Sequence, residues 1–248
     1  MLGHREHELF SLQSISTGAD QIRRFQMVAS GTWKPKVGIL GSGNVGQALG
    51  RGFAATGHEV ILGSRSPDSE KVRSWVVATG KGCSAGTFAD AAAFGEVLVI
   101  ATLGTAVEEA IDLAGPTHFV GKLLIDTTNP LDFSKGRPPG LFLGLTDSLG
   151  ETLQRRLPSA KVVKCFNTVP NEQMYNPTFE DVEMLICGND KAAKGQVADL
   201  LREFGWKGAI DIGGIDGARW LEAFVPLWVR TCTALNSRNV VFKALRAP

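Results

Sequence analysis

The sequence predicts an α/β fold, in which a doubly wound, mostly parallel sheet is followed by a short C-terminal helical segment. Two observations predict it. From Lys36 onward, apolar runs of strand length alternate with stretches whose apolar residues recur at helical spacing. In addition, a glycine-rich turn separates the first such run from the first helical stretch. Strands that alternate with helices in this way form a parallel sheet with helices on both faces.

Each predicted element follows from its local pattern. The strands are KVGIL, HEVIL, GCSAG, EVLVIAT, KLLIDTT, AKVVKCFNTV, VEMLICG and GAIDIG. Helical spacing predicts helices in NVGQALGRGFAATG, SEKVRSWVVATG, TFADAAAFG, AVEEAIDLAG, LGETLQRRLP and KAAKGQVADLLREFG. Ser66 and Pro67 are expected to cap and begin the second of these helices. A last helix is expected from Gly217 through Leu245, with Pro226 inside it.

The stretch from Asn129 to Ser148 interrupts this alternation. It reads NPLDFSKGRPPGLFLGLTDS and is rich in proline and glycine. Long loops inside compact domains are uncommon and often functional. Because this one follows the fifth predicted strand, we expect it to line or cover one side of a binding site.

Composition and charge exclude several classes of function. The 248 residues carry a formal net charge of +1, which favours neither nucleic acid nor a charged membrane surface as a partner. The apolar runs are too short to span a bilayer. The four cysteines lie far apart, so we expect free, buried thiols in a reducing compartment and no metal site. They are Cys83, Cys165, Cys187 and Cys232.

The first residues differ in composition from the rest of the chain. Residues 1–34 are polar, show no clear period and lack the apolar core of a secretory signal. We therefore expect a disordered N-terminal extension over 1–34, a nucleotide-binding domain over 35–212 and the C-terminal helical segment over 213–248.

The turn after the first strand has the pattern G-x-G-x-x-G at Gly41, Gly43 and Gly46. Its position between a strand and a helix is that of the dinucleotide fingerprint of the Rossmann fold. The first glycine permits the tight turn, the second lets the backbone approach a pyrophosphate, and the third lets the helix pack closely on the strand. N–H groups at the start of the helix would bind the anion. The sequence therefore predicts a Rossmann sheet that binds a dinucleotide.

The end of the second predicted strand indicates which dinucleotide. An NAD site places Asp or Glu about 20 residues after the loop, where it accepts a hydrogen bond from the ribose 2′-hydroxyl. Here the strand ends at Leu62 and Gly63, and Ser64 and Arg65 follow. A hydroxyl and a guanidinium would bind a 2′-phosphate, whereas a carboxylate would repel it. The sequence therefore predicts NADP(H).

The segment GSGNVGQALGRGFAATGHEVILGSRSP resembles the opening of the F420-dependent NADP oxidoreductases, which are NADPH-dependent reductases of deazaflavin or flavin. The resemblance continues through KVVKCFNTVP and ARWLEAFVPL and covers nearly everything from Lys36 to Leu245. The N-terminal part is also similar to the reductase domain of the STEAP metalloreductases. The resemblance implies one domain that binds NADP(H) along its strand ends, with a C-terminal segment that helps to form the acceptor pocket.

The resemblance also implies which residues bind the cofactor. Besides the fingerprint residues Gly41 and Gly46, it implies pyrophosphate contacts from Ser42, Gly43, Asn44 and Val45, and 2′-phosphate contacts from Ser64 and Arg65. It places Thr102 and Leu103 beside the ribose or nicotinamide, Asn129, Pro130 and Cys165 along the nicotinamide, and Asn167 and Thr168 at the mouth of the cleft. After the fourth strand the chain reads TLGTAVEEA, where the family commonly has a proline and an aromatic residue, so this loop is expected to be shaped differently.

The function implied by the resemblance is that of a soluble, cytoplasmic oxidoreductase that transfers a hydride between NADPH and F420, a flavin or a related acceptor. Hydride transfer between stacked rings depends mainly on proximity and orientation, so no catalytic acid or base is expected. His58 and His118 lie in turns before strands and are interpreted as structural. The apolar last helix predicts a homodimer in which this helix crosses onto the partner near the acceptor pocket.

Two other functions stay open at this stage. An imine reductase of the pyrroline-carboxylate or hydroxyacid type would share the nucleotide loop. Those enzymes usually carry a large helical domain after the sixth strand, whereas about 80 residues follow it here and still contain strands. A non-enzymatic NADP(H) sensor would bind NADPH and reduce no acceptor.

Overall fold

The strands and helices of the chain are those of a computed structural model that describes residues 33–247, so the predicted extension over 1–34 lies almost entirely outside the described residues. The strands are β1 (Val37–Leu40), β2 (Val60–Gly63), β3 (Cys83–Gly86), β4 (Val97–Ile100), β5 (Leu123–Asp126), β6 (Leu131–Asp132), β7 (Gly140–Leu141), β8 (Lys161–Lys164), β9 (Glu183–Gly188) and β10 (Gly208–Asp211). The α-helices are α1 (Asn44–Ala55), α2 (Glu70–Thr79), α3 (Phe88–Phe94), α4 (Val107–Ala114), α5 (Leu149–Arg156), α6 (Lys191–Glu203) and α7 (Ala218–Ala234).

The main sheet has eight strands in the order β10-β9-β8-β5-β4-β1-β2-β3. Neighbours from β8 to β3 are parallel, whereas β9 runs antiparallel to β8 and parallel to β10. The strand order changes direction between β1 and β4, which is the switch point where a doubly wound sheet binds its ligand. The predicted doubly wound, mostly parallel Rossmann sheet is confirmed.

The two strands at the switch point are buried along their whole length. Their sequences, VGIL and VLVI, are continuously apolar, as strands covered by helices on both faces require. Val37 pairs with Val97 and Leu40 with Ile100, so β1 and β4 end at the same level. The loops that follow these two strands therefore begin side by side at one edge of the sheet.

Two helix boundaries differ from the sequence-based prediction by more than two residues. α2 begins at Glu70 rather than at Pro67, because the Ser66 carbonyl accepts a hydrogen bond from the N–H of Ser69 and closes a turn before the helix. The last helix does not continue to Leu245. It ends at Ala234, followed by a residue with a left-handed φ of 46° at Asn236, and the residues beyond are not helical.

Both histidines that the sequence assigns to structure make structural contacts. His58 is buried, with Nδ1 2.9 Å from the carbonyl oxygen of Pro35 and Nε2 3.3 Å from Oε2 of Glu203. Nδ1 of His118 lies 2.7 Å from the carbonyl oxygen of Ala114 at the end of α4. Their contacts join connecting segments to helices and lie outside the strand-end edge that carries the glycine loop.

Candidate functional site

The loop between β1 and α1 has the geometry that its glycine pattern predicts. Gly41 has a φ of 132°, a conformation that favours glycine, and a Cβ there would lie 2.4 Å from the carbonyl oxygen of Ala101. A Cβ on Gly46 would lie 1.9 Å from the carbonyl oxygen of Gly41, so α1 packs directly on the loop. At Gly43, apart from the glycine itself and its two chain neighbours, no described residue has a heavy atom within 4 Å of the Cβ position. The backbone is therefore open to a ligand at this glycine.

The N-terminus of α1 offers an anion site beside Gly43. The helix begins at Asn44, no side chain of the described residues caps it, and its first turn holds no acidic residue. By contrast, Thr87 caps α3 and Ser148 caps α5 with their side chains. The first N–H groups of α1 and the positive end of its dipole are thus available to an anion.

Ser42 and Ser64 connect the glycine loop to the end of β2. Their hydroxyl oxygens lie 3.1 Å apart, and Ser64 Oγ also accepts a hydrogen bond from the backbone N–H of Ser66. The Arg65 side chain is exposed, and its Nη1 lies 3.7 Å from Oε2 of Glu109 in the first turn of α4. Two hydroxyls and an exposed guanidinium at this point could hold a phosphate group.

Thr102 and Leu103 follow β4 at the switch point. Oγ1 of Thr102 is buried and has no hydrogen-bond partner within residues 33–247. The Leu103 side chain, in contrast, is 76% exposed. A Cβ on the next residue, Gly104, would lie 2.3 Å from the carbonyl oxygen of Asn129. The loop after β4 therefore packs tightly against the loop after β5, which only a glycine allows here.

Asn129 and Asn167 meet across the ends of β5 and β8. Nδ2 of Asn167 donates to Oδ1 of Asn129 at 2.9 Å and to the carbonyl oxygen of Leu221 at 3.0 Å. Oδ1 of Asn167 is buried, and no described residue donates to it. A buried polar group without a partner costs about 1–3 kcal/mol. The orphaned oxygens of Thr102 and Asn167 therefore fit a site that a polar ligand completes.

The long loop from 129 to 148 contains the β6–β7 hairpin, and β7 packs against α7. Three large apolar side chains of this loop, Phe133, Phe142 and Leu145, are about half-exposed. Exposed aromatic and aliphatic groups beside a strand-end edge provide a surface on which a planar ring could stack.

Three residues that the resemblance assigns to the cofactor lie behind this edge. Pro130 and Cys165 are buried, and burial raises the pKa of the Cys165 thiol well above its usual value, so the thiol is neutral. Thr168 is also buried, and it lines a small cavity against the C-terminal segment with Phe224 and Phe242. These three residues can support the walls of the site, while the others described above lie along its edge.

Comparison with known proteins assigns the family. The model of the family described as NADP oxidoreductase, coenzyme F420-dependent, matches residues 36–130. An F420-dependent NADP reductase from Methanocaldococcus jannaschii is 30% identical over 211 residues, which cover 78% of this chain and 91% of that relative. The chain belongs to the F420-dependent NADP oxidoreductase family.

Two further similarities agree with this F420-dependent NADP oxidoreductase assignment and confirm the resemblance read from the sequence. The crystal structure of a candidate F420-dependent NADP-reductase from Arthrobacter sp. FB24 is 40% identical, covers 86% of this chain and 100% of its own, and has a TM-score of 0.81. Metalloreductase STEAP3 of Rattus norvegicus is 30% identical over 217 residues, 82% of this chain, but the chain spans only 40% of that relative's length. In the described part of this family member, each helix is too short or too polar to cross a membrane.

A buried triad of charged side chains, Asp126, Lys164 and Glu222, lies behind the asparagine pair of this F420-dependent NADP oxidoreductase. Nζ of Lys164 donates to Asp126 Oδ2 at 2.9 Å, to Glu222 Oε1 at 2.6 Å and to the carbonyl oxygen of Thr128 at 2.6 Å. The three charged side chains are at most 2% exposed. Burial alone would lower the pKa of Lys164, but the two carboxylates outweigh burial and raise it, so the ammonium stays charged.

Glu222 also holds the start of α5. Its Oε2 accepts from the N–H of Leu149 and its Oε1 from the N–H of Gly150. Burial raises the pKa of the Glu222 carboxyl, and the ammonium of Lys164 opposes that rise. Through Glu222, α7 is connected to α5, the helix that directly follows the long loop.

Sequence reasoning missed the buried triad, although a signal was present. Each member is a charged residue inside an otherwise apolar run: Asp126 in KLLIDTT, Lys164 in KVVKCF and Glu222 in WLEAFV. Charged groups are rarely buried unless they are paired, so three such positions in one domain indicate mutual partners. The sequence does not, however, say which of them meet.

Proposed function

We propose that the chain is an NADP(H)-dependent oxidoreductase that transfers a hydride between NADPH and a deazaflavin of the F420 class or a related flavin. The observation that carries the proposal is the end of β2, where Ser64 and Arg65 stand beside the glycine loop in place of the carboxylate of an NAD site. The F420-dependent NADP reductases among the relatives of the chain support the identity of the acceptor.

We assign the adenosine half of the cofactor to the loop and helix start between β1 and β2. Backbone N–H groups from Ser42 through Gly46 would bind the pyrophosphate, as the open N-terminus of α1 supports. Ser64 and Arg65 would bind the 2′-phosphate. The 3.1 Å contact between the Ser42 and Ser64 hydroxyls supports this assignment, because it brings the two phosphate sites together.

We assign the nicotinamide half to the ends of β4, β5 and β8. Thr102 and Leu103 would contact the ribose or the ring, and Asn129 and Asn167 would bind the carboxamide. The orphaned oxygens of Thr102 and Asn167 support this, since a carboxamide N–H₂ is the donor that they lack. Pro130, Cys165 and Thr168 would form the walls behind these groups.

The chemistry requires positioning rather than proton transfer. NADPH supplies a hydride when it is bound, so the residues of the chain need only bind it, orient it and keep water away from the reacting face. Proximity and orientation contribute about 7–11 kcal/mol in well-aligned reactions. The exposed side chains of Leu103, Phe133 and Phe142 are the apolar groups that would cover the acceptor ring.

An assay of NADPH oxidation with three acceptors tests this function. F420, FMN and pyrroline-5-carboxylate would each be offered to the purified chain, and absorbance of NADPH would be followed. We expect turnover with F420 or FMN and none with pyrroline-5-carboxylate. Turnover with the imine alone would assign an imine reductase, and tight NADPH binding without turnover of any acceptor would assign a sensor.

We further propose a homodimer in the cytoplasm, with residues 35–212 as the NADP(H)-binding domain and residues 213–248 as the segment for dimerisation and the acceptor pocket. Trp220 and Leu227 on α7, and Leu235 beyond it, are each more than half exposed. Large apolar surface is seldom left exposed on monomers. A molar mass measured by light scattering at micromolar concentration tests this, and a monomer would contradict it.

A further inference from the structure

The buried triad touches the nicotinamide side of the proposed site from two directions. On β8, Lys164 binds the carbonyl oxygen of Thr128, one residue before Asn129. On α7, Glu222 directly follows the residue whose carbonyl oxygen accepts a hydrogen bond from Asn167. Asn129 therefore follows a residue that binds Lys164, and Asn167 binds the residue that precedes Glu222.

The buried triad carries a formal charge of −1. Within residues 33–247, the Glu222 carboxylate only accepts hydrogen bonds. Its donors are Lys164 Nζ and two backbone N–H groups. Asp126 likewise accepts from Lys164 and from the N–H and hydroxyl of Thr128. An ionised carboxylate only accepts hydrogen bonds, whereas a protonated carboxyl group also donates one, so these contacts fit two ionised carboxylates. Burial raises the pKa of the neighbouring Cys187 thiol to about 12, so this thiol adds no charge.

We propose that this buried negative charge makes the site prefer NADP⁺ over NADPH and thereby sets the redox-state specificity of the nicotinamide side. The inference rests on the proposed function, because it requires NADP(H) as the ligand. The two nucleotides differ in the charge of the nicotinamide ring, which is positive when oxidised and neutral when reduced. A buried anion stabilises the positive ring with little screening by salt.

The size of the effect follows from Coulomb's law. For any two unit charges about 10 Å apart, at an effective dielectric constant of about 20, the interaction corresponds to a change in a binding constant of about 10- to 20-fold. The positive end of the α5 dipole offsets part of the Glu222 charge, which places the effect at the lower end of that range. The buried charge also favours hydride donation by NADPH. The nicotinamide ring gains positive charge as the hydride leaves for the flavin-like acceptor, and the anion stabilises that charge.

Dissociation constants of NADP⁺ and NADPH, measured by calorimetry on the full chain, test the proposal. Glu222→Gln removes one unit of negative charge with little change in shape, and it should raise the ratio of the NADP⁺ to the NADPH dissociation constant by about tenfold. Glu222→Asp keeps the charge and should leave the ratio within about twofold of wild type. Glu151→Gln is the matched control, because it removes a carboxylate from α5 that pairs with Arg219 outside the buried triad.

The results separate charge from structure. An unchanged ratio in Glu222→Gln, or an equal rise in Glu222→Asp or Glu151→Gln, would overturn the proposal. If Glu222→Gln does not fold, Asp126→Asn removes the same charge and should raise the ratio in the same direction. The wild type gives a measurement that needs no variant: a preference for NADPH of about tenfold or more would also overturn the proposal. If the wild type binds neither nucleotide, the proposed function itself fails.

Discussion

Asn129 and Asn167 hold each other through two hydrogen bonds, from Asn167 Nδ2 to Asn129 Oδ1 at 2.9 Å and from Asn129 Nδ2 to the carbonyl oxygen of Asn167 at 3.0 Å. A third bond, from Asn167 to the carbonyl oxygen of Leu221, fixes the amide against α7. With its N–H₂ group used in this way, Asn167 keeps a buried oxygen to which no residue within 33–247 donates.

Replacement of Asn167 by alanine should weaken NADPH binding at the nicotinamide only. The lost hydrogen bond is worth about 0.5–1.5 kcal/mol, which corresponds to a loss of affinity of about 2- to 12-fold. Binding of 2′-phospho-ADP-ribose, which lacks the nicotinamide, is the control and should not change. Equal losses for both ligands would show that Asn167 acts on the fold of the site and not on the ring.

Replacement of Arg65 by alanine should weaken NADPH and leave NADH nearly untouched. One charge-assisted contact with the 2′-phosphate is worth about 1.5–3 kcal/mol, or roughly 10- to 100-fold in affinity. Ser64→Ala should cost less, because the hydroxyl is uncharged. The measurement is the ratio of NADPH to NADH affinity in wild type and variant, and a wild type that prefers NADH would contradict the NADP(H) prediction.

A substitution at Ser64 should shift the cofactor preference from NADPH towards NADH. Ser64→Asp would place a carboxylate at the end of β2, where it should repel the 2′-phosphate and accept from the 2′-hydroxyl of NADH. The preceding residue cannot serve, because a Cβ on Gly63 would lie 2.8 Å from the carbonyl oxygen of Ile39. NADH affinity that does not rise relative to NADPH would show that Ser64 lies away from the ribose.

Deletion of the GRPPG tip, residues 136–140, should raise the KM for the acceptor more than the KM for NADPH. The tip lies on the loop whose exposed residues Phe133 and Phe142 would cover the acceptor ring, and Arg137 stacks on Phe133 with 5.4 Å between its Cζ and the ring centroid. Steady-state kinetics with each substrate varied in turn measures both constants. An unchanged acceptor KM would show that the loop faces elsewhere.

Replacement of Lys164 by methionine should destabilise the chain by about 3–5 kcal/mol, because two carboxylates would be left buried without their cation. Lys161→Met is the matched control on the same strand. Its half-exposed ammonium lies 3.8 Å from Asp190, and its loss should change stability by no more than about 0.5 kcal/mol. Urea unfolding of both variants gives the comparison, and similar losses would contradict a special role for the buried triad.

The parts of this molecule that the sequence predicts well are those with a local cause. The glycine loop is one, because a strand, a turn and a helix start are consecutive in the chain, and the packing at Gly41 and Gly46 leaves no room for a Cβ. The central strands β1 and β4 are another, since their continuous apolar runs indicate burial directly.

What the sequence did not predict depends on contacts between distant residues. The sequence pattern after Ala234 is still that of a helix. The chain nevertheless folds back, so that Trp228 donates to the carbonyl oxygen of Val240. The antiparallel direction of β9 likewise follows from how elements pack. Neither of these has a signature within a window of a few residues.

The contacts of the buried triad join residues that are far apart in the sequence, and this affects the order in which parts of the chain fold. Lys164 reaches Asp126 across 38 residues and Glu222 across 58, and Glu222 reaches Leu149 across 73. Contacts over such distances form late, because the entropy of closing each loop must be overcome first. The glycine loop packs against Ala101 at the end of β4, which precedes α7 in the chain. During synthesis on the ribosome, the proposed anion site can therefore form before α7 has emerged, whereas the proposed nicotinamide side becomes native only once α7 has docked.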